Sequence, residues 1–142
     1  MNIWEFSCQL TGRLFALNLI NLALGFILRR RTDPIQRGIG TQAMGWAVVN
    51  MAIALFGWQR DQQRSAKPNA LDKPVLAKEA RNLRRLLWLN AGLDVGYMLG
   101  GWWYAKRESG RPFRRGSGLG IIIQGMLLFI FDAIHASQVP ET

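Results

Sequence analysis

The chain has 142 residues, enough for one domain, and 49% of them are hydrophobic. Its formal net charge is +9, but the 18 Lys and Arg residues are grouped between long windows that carry almost no charge. A nucleic-acid-binding domain places its basic residues along one exposed stripe interleaved with its core, so this grouping argues against nucleic acid as a partner. The single cysteine, Cys8, excludes an internal disulfide.

Two apolar helices are predicted in the first part of the chain, over residues 8–28 and 40–58. The first contains Asn18 and ends at three consecutive arginines, whereas the second contains Asn50 and no charged residue. At about 1.5 Å of rise per residue, helices of this length cross the hydrocarbon core of a bilayer. We therefore predict a transmembrane hairpin over residues 8–58, whose first helix is retained because it lacks the features of a cleaved signal peptide.

Residues 59–84 form the longest connection between apolar segments and are rich in Arg, Lys, Gln and Asp. Within this basic segment, Asp72 is a suitable N-cap, and Pro74 fits the first turn of the helix that follows. These signals predict either that the third helix begins well outside the membrane or that a short interfacial helix precedes it.

A second apolar hairpin is predicted over residues 85–136. Its first helix runs to residue 104, has Asp94 as the only charged residue in its apolar part, and ends in an aromatic belt followed by basic residues. Its second helix, residues 119–136, has Asp132 as its only charged residue. Both windows have the length and composition of transmembrane helices.

Together these segments predict a single all-α domain over residues 1–142, with a short polar tail at residues 137–142. The predicted fold is a polytopic membrane protein whose four transmembrane helices form two tandem helical hairpins. A bundle of this kind uses short connections between antiparallel neighbours, which the turns after the first and third helices provide.

The two hairpins share short sequence words, which predict an internal repeat. RLFALN at residues 13–18 matches RLLWLN at residues 85–90, and RGIG at residues 37–40 matches RGSG at residues 115–118. Because a unit with two crossings keeps its orientation, the repeats are expected to be related by an axis along the membrane normal.

Polar residues inside the predicted transmembrane helices form one layer. An aspartate at a helix centre costs about 2.5–3.5 kcal/mol to insert, so Asp94 and Asp132 need compensating partners. The layer is either a proton or cation site, with amides as neutral donors and His135 as a proton relay, or a set of hydrogen bonds that fixes the register of the bundle. We also expect a local pair between Asp132 and His135. The layer comprises Asp94, Asp132, Asn90, Asn18, Asn50, Gln124 and His135.

Gly92, Gly96 and Gly100 recur every four residues on the third helix. Such a GxxxG series lets a second helix approach closely. The spacing predicts a helix-packing face, and the partner helix could belong to the same chain or to a second copy.

Motifs of enzymes and cofactor-binding proteins are missing from the sequence. No CxxC, HExxH, GxSxG or Walker pattern occurs, and no Ser–His–Asp arrangement is evident. The single histidine also excludes a b-type haem held by two histidines of one chain. We therefore predict no catalytic residue, no metal site and no cofactor, and a protein that is not an enzyme.

The basic loops are expected to face the anionic headgroups of the lipid bilayer. The short loops after the first and third helices hold nine Lys and Arg, and the opposite side holds nine when Arg13 is counted. The first helix has Glu5 before it and three arginines after it, an asymmetry that favours termini outside the cytoplasm.

Several short words resemble those of a family of small, uncharacterised bacterial four-helix membrane proteins. These words are Leu89-Asn90, LDVGY at residues 93–97, and Gln124-Gly125 followed by Phe131-Asp132. The resemblance implies a multi-pass protein of the bacterial inner membrane with unknown function, and it carries no activity.

Two functions follow from the sequence as hypotheses. The first is a non-enzymatic integral membrane protein that assembles with itself or serves as a small accessory subunit of a larger membrane complex. The second is a small proton or cation transporter or channel component that uses Asp94 and Asp132. Because four helices are too few for a wide aqueous pore, the second function requires an oligomer or a narrow proton path.

Overall fold

The computed structural model describes residues 1–141, which contain four α-helices and no strand. This confirms the predicted all-α class. The helices are α1 (Ile3–Arg29), α2 (Pro34–Ser65), α3 (Lys73–Arg107) and α4 (Pro112–Gln138).

The helices extend beyond the apolar windows that predicted them, and side-chain caps mark the starts of α1 and α2. Helix α1 begins early because the Asn2 side chain accepts a hydrogen bond from the Glu5 backbone N–H while the Glu5 carboxylate accepts one from the Asn2 backbone, a capping box. The Asp33 side chain caps α2 in a similar way. Helix α3 begins directly after Asp72 and is continuous, so no separate interfacial helix precedes it.

The helices pack in the order α1, α2, α4, α3. Each hairpin is closely packed within itself, and α2 against α4 forms the interface between the two hairpins. The backbones of α2 and α3 barely approach one another. The rings of Trp46 and Tyr97 bridge these two helices near their middles, with centroids 4.9 Å apart.

Glycines allow the close crossings inside each hairpin. A Cβ atom added to Gly40 of α2 would lie 2.6 Å from the backbone oxygen of Gly25 in α1. A Cβ atom added to Gly118 of α4 would lie 2.7 Å from the backbone nitrogen of Ala105 in α3. The two hairpins therefore cross at corresponding RGxG words, whereas the internal repeat itself stays a prediction.

The distribution of side chains is the reverse of that in a water-soluble bundle. The middle of the bundle is lined with small and polar residues, while most large aliphatic and aromatic side chains lie outside. Helices α1, α2 and α4 are each long and apolar enough to cross a membrane. Burial of large apolar side chains drives folding in water, so an outward-facing apolar surface is compatible with a membrane protein. The buried residues of α2 are all small or polar: Gly38, Gly40, Ala43, Ala47, Asn50 and Ala54.

Within residues 1–141, the apolar core cluster lies at the end of the bundle that carries the termini. There Ile3 and Phe6 of α1 pack with Leu87 of α3 and with residues near the end of α4. The indole N–H of Trp4 donates a 2.9 Å hydrogen bond to the carbonyl oxygen of Ala70, which ties the connecting segment to α1. This end of the molecule therefore has a packed apolar cluster, which we call the cap.

Candidate functional site

The amide side chains form two separate interhelical pairs in the middle of the bundle. In the first pair, Asn50 of α2 donates from its side-chain nitrogen to Asn18 Oδ1 of α1 over 3.2 Å. The Asn18 amide nitrogen in turn donates to the carbonyl oxygen of Leu14, 2.8 Å away. Both side chains are buried, and their polar atoms join neighbouring helices of the first hairpin. This geometry matches the structural interpretation of these two residues.

The second amide pair joins α1 to α4 and includes a residue that the predicted layer omitted. Asn21 and Gln124 exchange two hydrogen bonds: Asn21 Nδ2 donates to Gln124 Oε1 at 2.6 Å, and Gln124 Nε2 donates to Asn21 Oδ1 at 3.1 Å. Asn21 lies one helical turn beyond Asn18, so the same-face spacing could have identified it. The reciprocal pair couples the two hairpins at the level of the bundle centre.

The two acidic residues of the predicted layer meet between α3 and α4. Asp94 and Asp132 are 3% and 8% exposed, and their carboxyl groups lie within hydrogen-bonding reach of each other. The buried Oδ2 atom of Asp94 receives no hydrogen bond from any N–H or O–H group in residues 1–141. A hydrogen bond between two carboxyl groups requires a proton on one of them, so this pair is a place where a proton or a cation can reside.

His135 does not pair with Asp132, contrary to the expectation from their spacing. Its Nδ1 atom lies 2.7 Å from the carbonyl oxygen of Phe131, and its Nε2 atom lies 3.4 Å from Arg13 Nη1. A carbonyl oxygen only accepts, so the proton is on Nδ1 and Nε2 can accept from Arg13. The ring also packs between Phe6 and Phe131. His135 thus belongs to the cap, one turn from the carboxyl pair.

A cleft of about 220 Å³ leads from the end of the bundle that carries the termini to the carboxyl pair. We call it the terminal cleft. It lies between α2 and α3, on the side of the Trp46–Tyr97 bridge that faces the termini, and α1 and α4 also contribute to its walls. Asn90 and Asp132 line it, whereas Asp94 is not among its lining residues. Asn90 is half-buried and faces this space, so it is accessible from the cleft.

The walls of the terminal cleft are apolar, and its charged residues pair across helices. Ser7 of α1 donates a hydrogen bond to the carboxylate of Asp61 in α2, and Arg64 of α2 forms an ion pair with Glu79 of α3. Arg60 is exposed and also borders the cleft. In the inner part of the cleft, Asp132 is therefore the charged side chain among apolar walls. These walls are formed by Leu10, Leu14, Leu83, Leu87 and Phe131.

The predicted glycine face of α3 packs against no other part of residues 1–141. A Cβ atom added to Gly92, Gly96 or Gly100 would have no heavy atom within 4 Å. Gly101 provides the close approach to α4, because a Cβ atom there would lie 2.8 Å from the carbonyl oxygen of Gly118. The GxxxG series points outward, and packing against a second copy stays a prediction.

Comparison with known proteins gives one match. Residues 13–133 match the model of a family of unknown function, DUF6992. The match covers all four helices at least in part and includes Asp94, Asp132 and every predicted amide of the polar layer. No curated protein and no solved structure matches the chain.

Proposed function

The chain belongs to DUF6992, a family of unknown function, and we propose that it is a multi-pass membrane protein that binds a proton or a small cation at the Asp94–Asp132 pair. One observation carries the proposal: two buried carboxyl groups meet inside the bundle, and one carboxyl oxygen has no donor. Carboxylates within membrane segments are costly, and they mark proton and ion sites in many transporters and pumps.

The proposal includes a fourth transmembrane crossing by α3. The polar residues of this helix lower its mean hydropathy, but Asp94 points inward while Leu89 and Leu99 are 62% and 63% exposed. A helix whose outward face is apolar and whose inward face is polar suits a position between lipid and a polar bundle interior. Since α3 packs along α4 as an antiparallel hairpin, a crossing by α4 supports a crossing by α3 as well.

Two carboxyl groups in contact favour the binding of a proton or cation between them. Without it, two anions so close would repel each other strongly in a medium of low dielectric constant. A proton between the oxygens, or a monovalent cation beside them, removes that repulsion. The terminal cleft gives the site access from one side, since Asp132 lines its inner part. The amide pairs Asn18–Asn50 and Asn21–Gln124 hold the surrounding helices in register.

The proposed location is the bacterial inner membrane, with both termini outside the cytoplasm. The nine Lys and Arg residues of segments 29–37 and 106–115, which include the adjoining helix ends, then lie at the cytoplasmic face, where anionic lipid headgroups attract basic segments. Under this topology the terminal cleft opens towards the outer side. A non-enzymatic binding role agrees with the absence of catalytic sequence motifs.

The test compares the thermal stability of the purified protein across pH and across a panel of monovalent cations. Wild type is measured beside Asp94→Asn and Asp132→Asn, with Asp72→Asn as a matched control because Asp72 is exposed and makes no side-chain capping bond. A ligand that binds only the folded state raises stability by RT ln(1 + [L]/Kd), about 2.7 kcal/mol at a hundredfold excess over Kd.

We expect wild type and Asp72→Asn to lose stability when alkaline pH withdraws the shared proton, and to regain it with a cation that fits the site. Both core variants should lose this dependence because an amide beside a carboxyl group can donate a hydrogen bond without a shared proton. If all four proteins respond alike to pH and cations, the carboxyl pair only holds helices together and the proposal fails.

A second candidate function is assembly with itself or with a larger membrane complex. The observation that favours it is the outward orientation of Gly92, Gly96 and Gly100, which leaves a shallow backbone face on α3. We expect Gly96→Leu to reduce the oligomer fraction in detergent or lipid discs, and Gly45→Leu on the outer face of α2 to leave it unchanged. A monomeric wild type under mild extraction, with no co-purifying complex, would contradict assembly.

A further inference from the structure

We propose that the terminal cleft binds a small amphipathic ammonium ion, a molecule with a protonated amine and a short apolar chain. This inference rests on the proposed function, because it assigns a ligand class to the same carboxyl pair. The cleft measures about 220 Å³, far above the roughly 10–15 Å³ that a single water needs. It therefore has room for an organic molecule in addition to a proton.

The placement of charge in the cleft favours a cation over an anion. At the rim, Asp61 and Glu79 are held by Ser7 and Arg64, so those groups already have partners. At the inner part, Asp132 is 92% buried, and its carboxyl group has only that of Asp94 as a side-chain hydrogen-bonding neighbour in residues 1–141. A buried acidic group in an apolar pocket selects a cation, because an uncompensated anion there is costly.

The shape of the lining favours an apolar chain attached to that cation. Leucine side chains from α1 and α3 and the ring of Phe131 form most of the wall between the rim and Asp132. Burying a methylene group against such a wall contributes about 0.8 kcal/mol. Asn90 faces the same space and provides an amide oxygen as a second acceptor for an ammonium N–H group. An inorganic cation would make no apolar contacts with this wall.

The cleft reaches the outer surface of the bundle between α2 and α3, on the inner side of the Arg64–Glu79 ion pair. Ile53 and Leu86 border this opening and are 59% and 52% exposed, so the opening adjoins the apolar outer surface of the bundle. An amphipathic ammonium ion concentrates at the membrane interface, at the level where the charged rim meets the apolar walls. The ligand can thus enter from the lipid interface with its charged end directed towards Asp132.

The test uses three probes of equal chain length and different charge: hexylammonium, hexanol and hexanoate. The thermal stability of the full chain in lipid discs is titrated with each probe at neutral pH, where the amine is protonated and the acid is ionised. We expect hexylammonium to raise the unfolding temperature at concentrations at least tenfold below those that hexanol requires. Hexanoate should give no specific stabilisation.

Variants assign the effect to the cleft. Asp132→Asn should reduce the preference for hexylammonium over hexanol to less than threefold. Gly57→Leu should abolish stabilisation by both probes, because a Cβ atom at Gly57 meets only Thr11 Cγ2 at 3.7 Å and a longer side chain extends into the cleft. Gly45→Leu, on the same helix but with open space around it, is the control and should behave as wild type.

Each other outcome overturns the inference. Equal effects of hexanol and hexylammonium on wild type would show an apolar cavity without recognition of charge. An undiminished preference in Asp132→Asn, or a full response in Gly57→Leu, would place the binding elsewhere. No response to any probe, with the dependence on pH and inorganic cations intact in wild type and absent in Asp94→Asn, would remove the ammonium ligand and leave the proposed proton or cation site standing.

Discussion

Replacing Gly40 by alanine tests whether the glycine crossing between α1 and α2 holds the first hairpin together. The added Cβ atom would lie 2.6 Å from both the Gly25 carbonyl oxygen and the Arg29 backbone nitrogen. Carbon atoms in good contact are about 3.5–4.0 Å apart, so the two helices must separate by about 1 Å. Overpacking of this kind costs about 1–3 kcal/mol, and backbone atoms cannot rotate away as a side chain can.

The matched control is Gly45→Ala on the same helix. A Cβ atom at Gly45 has no heavy atom within 4 Å, so only the higher helix propensity of alanine acts, worth up to about 1 kcal/mol. Gly40 and Gly45 both have negative φ, so the comparison is free of backbone strain. Reversible unfolding in detergent micelles, followed by circular dichroism, should show Gly40→Ala less stable than Gly45→Ala by about 1–3 kcal/mol. Equal stabilities would refute the crossing as described.

Two other predictions concern single contacts. Alanine substitutions at Asn21 and Gln124, alone and together, should give a coupling free energy of about 0.6–2 kcal/mol in a double-mutant cycle. The reason is that each side chain hydrogen-bonds the other. Additive effects on stability would contradict this hydrogen-bonded pair. Trp4→Phe removes the indole donor to the Ala70 carbonyl oxygen. The substitution should lower the free energy of unfolding by about 1 kcal/mol and speed proteolysis of the connecting segment. Unchanged cleavage would show that packing alone holds that segment.

The elements of the fold were largely accessible from the sequence, although most of their ends were not. Hydropathy located four apolar windows, and each lies within one helix of the structure. Helix α2 nevertheless continues past residue 58 to Ser65, whereas α3 begins at Lys73, directly after the N-cap Asp72 that the sequence offered as one alternative. A helix that leaves the apolar layer keeps its backbone hydrogen bonds, so polar composition ends the window without ending the helix.

Sequence reasoning named the two acidic residues of the candidate site, but it omitted Asn21 from the polar layer and did not predict which side chains pair. Helical periodicity placed Asp94 and Asp132 on inward faces, where the structure has both. The same reasoning joined Asp132 to His135 by spacing along one helix, whereas the structure joins it to Asp94 of another helix. Sequence spacing shows which residues of one helix lie on the same face. It contains no information about how the adjacent helix is rotated.

The sequence by itself determined which segments are apolar helices, which residues are polar within them, and where basic residues accumulate. Only the tertiary structure decided that Gly40 and Gly118 make close crossings while Gly96 faces outward, and that a cleft between α2 and α3 reaches Asp132. The physical reason is that a periodic pattern defines a face for each helix separately. The partner of that face depends on complementary packing of several helices at once, through crossing angles and side-chain volumes that no single segment contains.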